Sequence, residues 1–351
     1  MKKSLLAVAV LGAFAGAASA QSSVTLFGVV DLSANSIKNG GTTARYLASN
    51  QLNSNRLGFR GTEDLGGGLT AGFWLEAGMN NATGNAGGGS GNVAPTDAPS
   101  SQLFNRRSTV SLTSRMGEVR LGRDYDPSFW NTVFFDVNGA NGLGQGLNLI
   151  SSLGSGATSI ARTNNSIAYF LPSGLGGIYG QLQVAAPEGA AGNNYRGGRV
   201  GYAAGPVDVA VAYGTTKTVG GDFKMENVGA SYNFGVVKVF GYYNRNTYGD
   251  LRQNVYEASA SVPLGQGEFR ASYAKADASG NTAAGVSTNA NDARLASVGY
   301  IYNLSKRTAL YTTYAKISNS GAAAFSILPG SLGNASGRES SGYNFGVRHS
   351  F

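Results

Sequence analysis

Stretches of about ten residues in which apolar and polar side chains alternate recur along nearly the whole chain, and nothing else limits the fold as much. In Val24 to Ser33 the apolar set Val24, Leu26, Val30 and Leu32 alternates with Thr25, Asp31 and Ser33. Leu57 and Phe59 alternate with Arg56 and Arg60; Ala71, Phe73 and Leu75 with Thr70 and Glu76; Phe269, Ala271 and Tyr273 with Glu268, Arg270 and Ser272. A period of two sends successive side chains to opposite faces of a strand, so each stretch has one greasy and one wet face. Sixteen such segments begin near residues 24, 53, 69, 103, 118, 162, 177, 197, 207, 223, 236, 251, 267, 292, 308 and 341.

The connections differ in length. Asp64–Gly68, Arg115–Gly117, Pro172–Gly176, Gly205-Pro206, Phe234-Gly235, Pro263–Gln266 and Asn303–Arg307 are short. Lys38–Leu52, Asn80–Gln102, Tyr125–Ile160, Asp277–Asn291 and Asn319–Ser340 are long and rich in Gly, Asn and Ser. An even number of antiparallel strands, with tight turns at one end and long loops at the other, predicts an all-β, 16-stranded antiparallel transmembrane β-barrel with short periplasmic turns and long extracellular loops. A soluble β-sandwich also alternates, but its greasy face is a packed interior of large aliphatic residues. Here Gly and Ala occupy many greasy positions, the 53 glycines being about twice the usual share of ~7%. Tyr169, Tyr202, Tyr213, Tyr232, Tyr300, Tyr302 and Tyr311 lie near segment ends, as in interfacial aromatic girdles.

The first 20 residues read as an export leader: Lys2 and Lys3, an apolar run from Leu5 to Ala17, and the small-residue cleavage pattern Ala18-Ser19-Ala20. Residues 21–351 then form the barrel domain. After Gln21 no run approaches the ~18–20 apolar residues of a membrane helix. In lipid every backbone N–H and C=O must be paired, so a sheet that enters a membrane must close.

With these segments in place the sequence resembles the general diffusion porins of Gram-negative outer membranes, in particular their anion-preferring beta-proteobacterial branch. The carrying stretches are Ser22–Gly28 with Asp31, Asn55-Arg-Leu-Gly-Phe-Arg-Gly-Thr-Glu-Asp-Leu-Gly-Gly-Gly-Leu69, Arg106-Arg-Ser-Thr-Val-Ser-Leu112, Gly117-Glu-Val-Arg-Leu-Gly-Arg-Asp124, Tyr232-Asn-Phe-Gly235, Asn303–Thr308 and the Phe351 ending. They span the chain after the leader. The resemblance implies a homotrimer in the outer membrane, amid its lipid and lipopolysaccharide, and a third extracellular loop folded into the lumen as a constriction. Residues 125–160 stand where that loop belongs, without the Pro-Glu-Phe-Gly motif of the best-known porins. Tyr343 to Phe351, with an aromatic or apolar residue at every second position, resembles the C-terminal signal read by the outer-membrane assembly machinery.

A passive pore selects by size and field. Polar parity turns Arg56, Arg60, Arg107, Arg120 and Arg162 inward on neighbouring strands, which concentrates positive charge on one arc. An Arg facing lipid at the midplane costs ~2–4 kcal/mol, which warrants this orientation. The resemblance narrows the constriction to three arginines, carried onto Arg56, Arg106 and Arg162; parity favours Arg107 over Arg106. Asp124, Asp126 and Asp136 are the acids assigned to the constriction loop, and Asp126 and Asp136 stand facing the arginines across a transverse field. The expected function is passive diffusion of small hydrophilic solutes and ions with anions preferred several-fold. A substrate-specific channel for phosphate or organic anions would need a denser arginine ladder or an aromatic slide; Trp74 at an inward position is the only Trp hint, and Phe129 and Trp130 are on the loop. A non-channel barrel, adhesin or anchor, is a further reading.

Zero Cys excludes thiol nucleophiles and thiolate metal sites, and the single His349 sits among lipid-facing positions of the last strand. No enzyme activity, cofactor or metal is expected. The net charge of +8 falls one residue per strand and forms no patch or tract of the nucleic-acid-binding kind.

Overall fold

The computed structural model describes residues 23–86, 102–157, 160–186, 194–327 and 336–351. The leader lies outside them. The strands are β1 Ser23–Asn39, β2 Thr42–Ser49, β3 Arg56–Gly66, β4 Leu69–Asn80, β5 Asn85–Ala86, β6 Arg107–Ser114, β7 Gly117–Tyr125, β8 Arg162–Phe170 and β9 Ile178–Ala185. They continue as β10 Asn194–Ala204, β11 Val207–Thr218, β12 Gly221–Asn233, β13 Lys238–Tyr248, β14 Leu251–Leu264, β15 Gly267–Ser279, β16 Ala293–Asn303, β17 Thr308–Asn319 and β18 Ser340–Ser350.

Every ladder is antiparallel between chain neighbours, and β18 returns to β1, so the sheet closes. Two of the eighteen segments add no wall position. β2 and β3 lie end to end along β1, pairing with Leu32–Asn39 and Ser23–Val29 respectively, and β5 is a two-residue spur on β4. The wall therefore has sixteen strands among the described residues, the number the alternation gives. At the seam the Gly28 N–H donates to the Phe351 carbonyl at 3.0 Å and the Phe351 N–H to the Gly28 carbonyl at 3.1 Å.

The alternation sorts as the physics of a membrane cylinder demands. Val207, Val209, Val211 and Tyr213 on β11 are exposed on the outside, whereas Ala210 and Ala212 between them are buried. The buried apolar core lies inside the cylinder. Leu143 and Leu149 of the long segment after β7, and Ile327 of the last loop, pack against Ile37, Val255, Leu295 and Ile317 of the wall.

Two sequence expectations change. Residues 38–52 are not a loop: β1 runs to Asn39, turns at Gly40 with φ +57°, and returns as β2. In Thr42–Ser49 the period of two is present but weak: Ala44, Tyr46 and Ala48 turn inward, the last two onto the core, and alternate with the exposed Arg45 and Leu47. The fourth wall strand begins at Arg107, not near residue 103.

Candidate functional site

Four strand ends converge on one side of the lumen. Arg56 opens β3, Arg106 directly precedes β6, Tyr125 closes β7 and Arg162 opens β8. The ladders Arg56↔Gly78, Glu76↔Arg107 and Tyr125↔Arg162 bring them to a common level. The Tyr125 hydroxyl accepts Arg162 Nη2–H at 2.7 Å and Arg106 Nη2–H at 3.2 Å. The Arg162 guanidinium also lies 4.3 Å from the Tyr125 ring centroid. Glu76 supplies the countercharge: its Oε1 is 2.5 Å from Arg106 Nε and 3.5 Å from Arg56 Nη1, while its Oε2 accepts the Trp74 indole N–H at 3.0 Å. Two guanidiniums thus share the Glu76 carboxylate, and the third, Arg162, joins the cluster through the Tyr125 hydroxyl. Arg106 and Arg162 are only 4% and 3% exposed, which leaves Arg56 as the member most open to the lumen.

Arg106 and Arg107 both serve the lumen, at different levels. Arg106 lies outside the strand, its N–H bonded to the Glu76 carbonyl at 3.1 Å, so strand parity does not govern its side chain. Arg107 stacks 4.5 Å from the Trp74 centroid and lies 3.7 Å from Asp124. Towards the short turns, Arg60 lies 5.0 Å from Trp74 and 5.3 Å from Phe27, and Arg120 lies 4.0 Å from Phe170. Arg120 also pairs with Glu118 at 2.9 Å and Asp124 at 2.5 Å. Asp124 is therefore a strand residue of β7 that neutralises the lower arginines, not an acid of the loop.

The loop after β7 runs inward. Its helix α1 (Pro127–Phe134) is capped by Asp126, whose Oδ1 accepts the Phe129 N–H at 2.8 Å, and Pro127 pre-sets the first turn. The helix crosses to the far wall. Asn131 Nδ2–H donates to Asn227 Oδ1 on β12 at 3.0 Å, and the Thr132 and Tyr242 hydroxyls are 2.7 Å apart. A Cβ at Gly229 of β12 would fall 2.0 Å from Phe135, so only a bare backbone lets the loop lie flush there. Further on, the Ser272 hydroxyl on β15 donates to the Gly144 carbonyl at 3.0 Å and Gln253 Nε2–H on β14 to the Leu149 carbonyl at 2.9 Å.

Local donors reach both loop acids: Asp126 Oδ1 accepts the Phe129 N–H and the Ser128 hydroxyl. Asp136 accepts N–H groups from Asn138 at 2.7 Å, Gly146 at 3.1 Å and Ala140 at 3.3 Å, and hydrogen-bonds Glu257 of β14. Burial pushes its carboxyl above the usual carboxylate range despite those donors. The acid that faces the arginines is Glu76. Tyr125, their common acceptor, gave no sequence signal beyond its place beside Asp124.

A cavity of about 480 Å³ lies between loop and wall, lined by Arg56, Arg162, Tyr125 and Trp130 on one side and by Arg270 and Arg348 across it. Arg270 Nε lies 2.5 Å from Glu268, so the cations again outnumber the paired acids. Tyr343 and Phe351 are exposed on the outer surface at the seam and take no part in this cavity. Among the described residues no group of three or more His, Asp or Glu side chains is placed to hold a metal.

Comparison with known proteins gives the same architecture an identity. Residues 7–322 match the model of a family described as Gram-negative porin. The chain is 38% identical to outer membrane porin protein 32 of Delftia acidovorans over the whole of both chains. It is 31% identical to an outer membrane porin protein of Bordetella pertussis, over 90% of this chain and 94% of that one. Among solved structures it is similar to an anion-selective porin from Comamonas acidovorans, with a TM-score of 0.82 at 35% identity, covering 94% of this chain and 100% of the other. This chain belongs to the Gram-negative porin family, the β-barrel diffusion channels of the outer membrane.

Proposed function

We propose that this channel prefers anions, and that Arg56, Arg106 and Arg162 set the preference at its narrow level. The observation that carries the reading is the three-to-one excess of guanidinium over carboxylate around Tyr125. A unit charge ~6 Å from a permeant ion in water contributes ~0.7 kcal/mol, so two uncompensated charges favour an anion by ~1.4 kcal/mol. Screening over ~8–10 Å reduces this to a several-fold preference that still admits cations. The similar anion-selective porin from Comamonas acidovorans supports the same reading. The test is a planar bilayer with a KCl gradient. Large conductance steps with a zero-current voltage displaced towards the chloride equilibrium potential are expected; displacement towards the potassium potential rejects the reading.

The same reading takes the loop at residues 125–160 as the constriction element and residues 1–20 as a leader removed on export across the periplasm. Tyr343 and Phe351 belong to the segment read by the assembly machinery. Three copies assemble through the arc of β4, β6, β7 and β8. Its outward side chains, such as Phe73, Leu75, Val110, Leu112, Val119 and Ile167, are uncharged and apolar. By contrast, the outward positions of the later strands near the long loops carry Arg196, Lys224, Arg245, Arg252, Lys275 and Arg294. Lys275 and Arg294 stand directly opposite in the ladder with Asp277 2.5 Å from Lys275, a net cationic edge that suits a phosphorylated lipopolysaccharide headgroup. Chemical crosslinking in membranes tests the assembly: trimers are expected, and a ladder ending at the monomer contradicts it.

A further inference from the structure

The lumen contains an aromatic surface that conduction of small ions does not require. Trp130 and Phe134, four residues apart on one face of α1, stack with centroids 5.3 Å apart and planes 14° apart. Phe134 is 47% exposed, although Phe129, Asn131 and Thr132 on the rest of the helix are buried. Tyr125 extends the row, edge-on to Trp130 at 5.0 Å. Each end of the row meets a cation. Arg162 lies over Tyr125, and Arg199 of β10 lies 5.2 Å from the Phe134 centroid and 4.8 Å from that of Tyr179 on β9.

The polar edge of this row is incomplete. The Trp130 indole N–H, Arg162 Nε and Arg106 Nη1 are shielded from water and make no hydrogen bond among the described residues. Both arginines are more than nine-tenths buried, and Trp130 and Arg162 line the same cavity of about 480 Å³, within the size range of small-molecule sites. An exposed phenyl ring in a wet channel and unpaired donors beside it are both unfavourable when the channel is empty. One class of solute offsets both: a flat ring for the plates and an acceptor anion for the donors. Chloride supplies only charge, and an aliphatic acid supplies no π-face.

We propose that the Tyr125–Trp130–Phe134 row, bounded by Arg162 and Arg199, is a track that binds aromatic carboxylates in transit. The ring lies on the indole and phenyl faces, and the carboxylate accepts from the arginine edge. This names the solute class of the anion channel and rests on that reading.

The full-length channel in a planar bilayer in KCl tests it, with benzoate or cyclohexanecarboxylate as blocker of the chloride current. The two acids match in charge and ring size and differ in the π-face. Aromatic contact sets the expected ratio of half-blocking concentrations, about 3- to 10-fold in favour of benzoate. In Phe134→Leu and in Trp130→Leu/Phe134→Leu the ratio falls towards one. Both acids are compared in the same channel, so a change in conductance cancels. Equal half-blocking concentrations in the native channel, or a ratio unchanged in both variants, overturns the track. A native channel with no chloride preference overturns the underlying reading and the track with it.

Discussion

Glu76 and Arg106 form a buried ion pair at 2.5 Å in the narrow part of the lumen, joined through backbone as well by the Arg106 N–H on the Glu76 carbonyl. The same carboxylate oxygen reaches Arg56 at 3.5 Å, so one acid offsets part of the field of two cations. Glu76→Gln removes the charge and keeps one acceptor oxygen for Arg106, while its NH2 cannot accept the Trp74 indole N–H. The chloride-over-potassium permeability ratio is expected to rise about 3-fold, the value of one unit charge ~6 Å from an ion in water. A zero-current voltage unchanged from the native channel would remove Glu76 from the selectivity balance.

Asp136 makes the docking of the inserted loop depend on pH. Burial raises its carboxyl pKa, with Glu257 beside it and three backbone N–H groups on it. The docked loop holds its proton more tightly than a free one does. Docking is therefore firmest in acid, and it weakens as pH rises from the ordinary carboxylate range through the raised value. Open-channel current noise is expected to grow from mildly acidic to alkaline buffer, and Asp136→Asn to flatten that rise. Noise that grows on acidification contradicts the sign.

Closure of the cylinder depends on the absence of a side chain at residue 28. A Cβ there would sit 2.3 Å from Phe351 Cζ and 2.8 Å from the Arg56 carbonyl oxygen, and the latter cannot move without shifting β3. Gly28→Val is expected to destabilise the barrel by about 1–3 kcal/mol, as overpacking does. The readout is a lower temperature for the folded-to-unfolded shift in heat-modifiability gels. An unchanged transition would mean the seam is looser than its two hydrogen bonds indicate.

Val200, Val211 and Val228 stand abreast on three adjacent strands, all exposed on the outer face. Val211→Arg places a cation against the acyl chains, at an expected cost of about 2–4 kcal/mol near the midplane. Urea titration of the protein in lipid vesicles measures it, and a neutral result would place this row in water.

The wall is legible in the sequence because lipid outside and water inside impose the same two-residue period on almost every strand. β2 escapes because Thr42–Ser49 is short and carries few large apolar side chains, although Asn39-Gly40-Gly41 marks its turn. The basic arc is legible one residue at a time, since an inward arginine is the inexpensive orientation. Its assembly is not. Glu76 and Arg106 are thirty positions apart, and their contact depends on how β4 and β6 register. Arg106 lies one residue outside the strand, where parity has no force. Asp126 and Asp136 read as field-forming acids in the sequence, yet the helix start and the turn claim them, because a short carboxylate beside free backbone N–H groups bonds locally first.

The most direct measurement of the central claim is the zero-current voltage in a KCl gradient for the native channel and for Arg56→Gln/Arg162→Gln. Removing two unit charges from the narrow level is expected to lower the chloride-over-potassium ratio by up to about tenfold, less with screening. An unchanged ratio in a channel of native conductance would contradict the assignment of anion preference to this cluster.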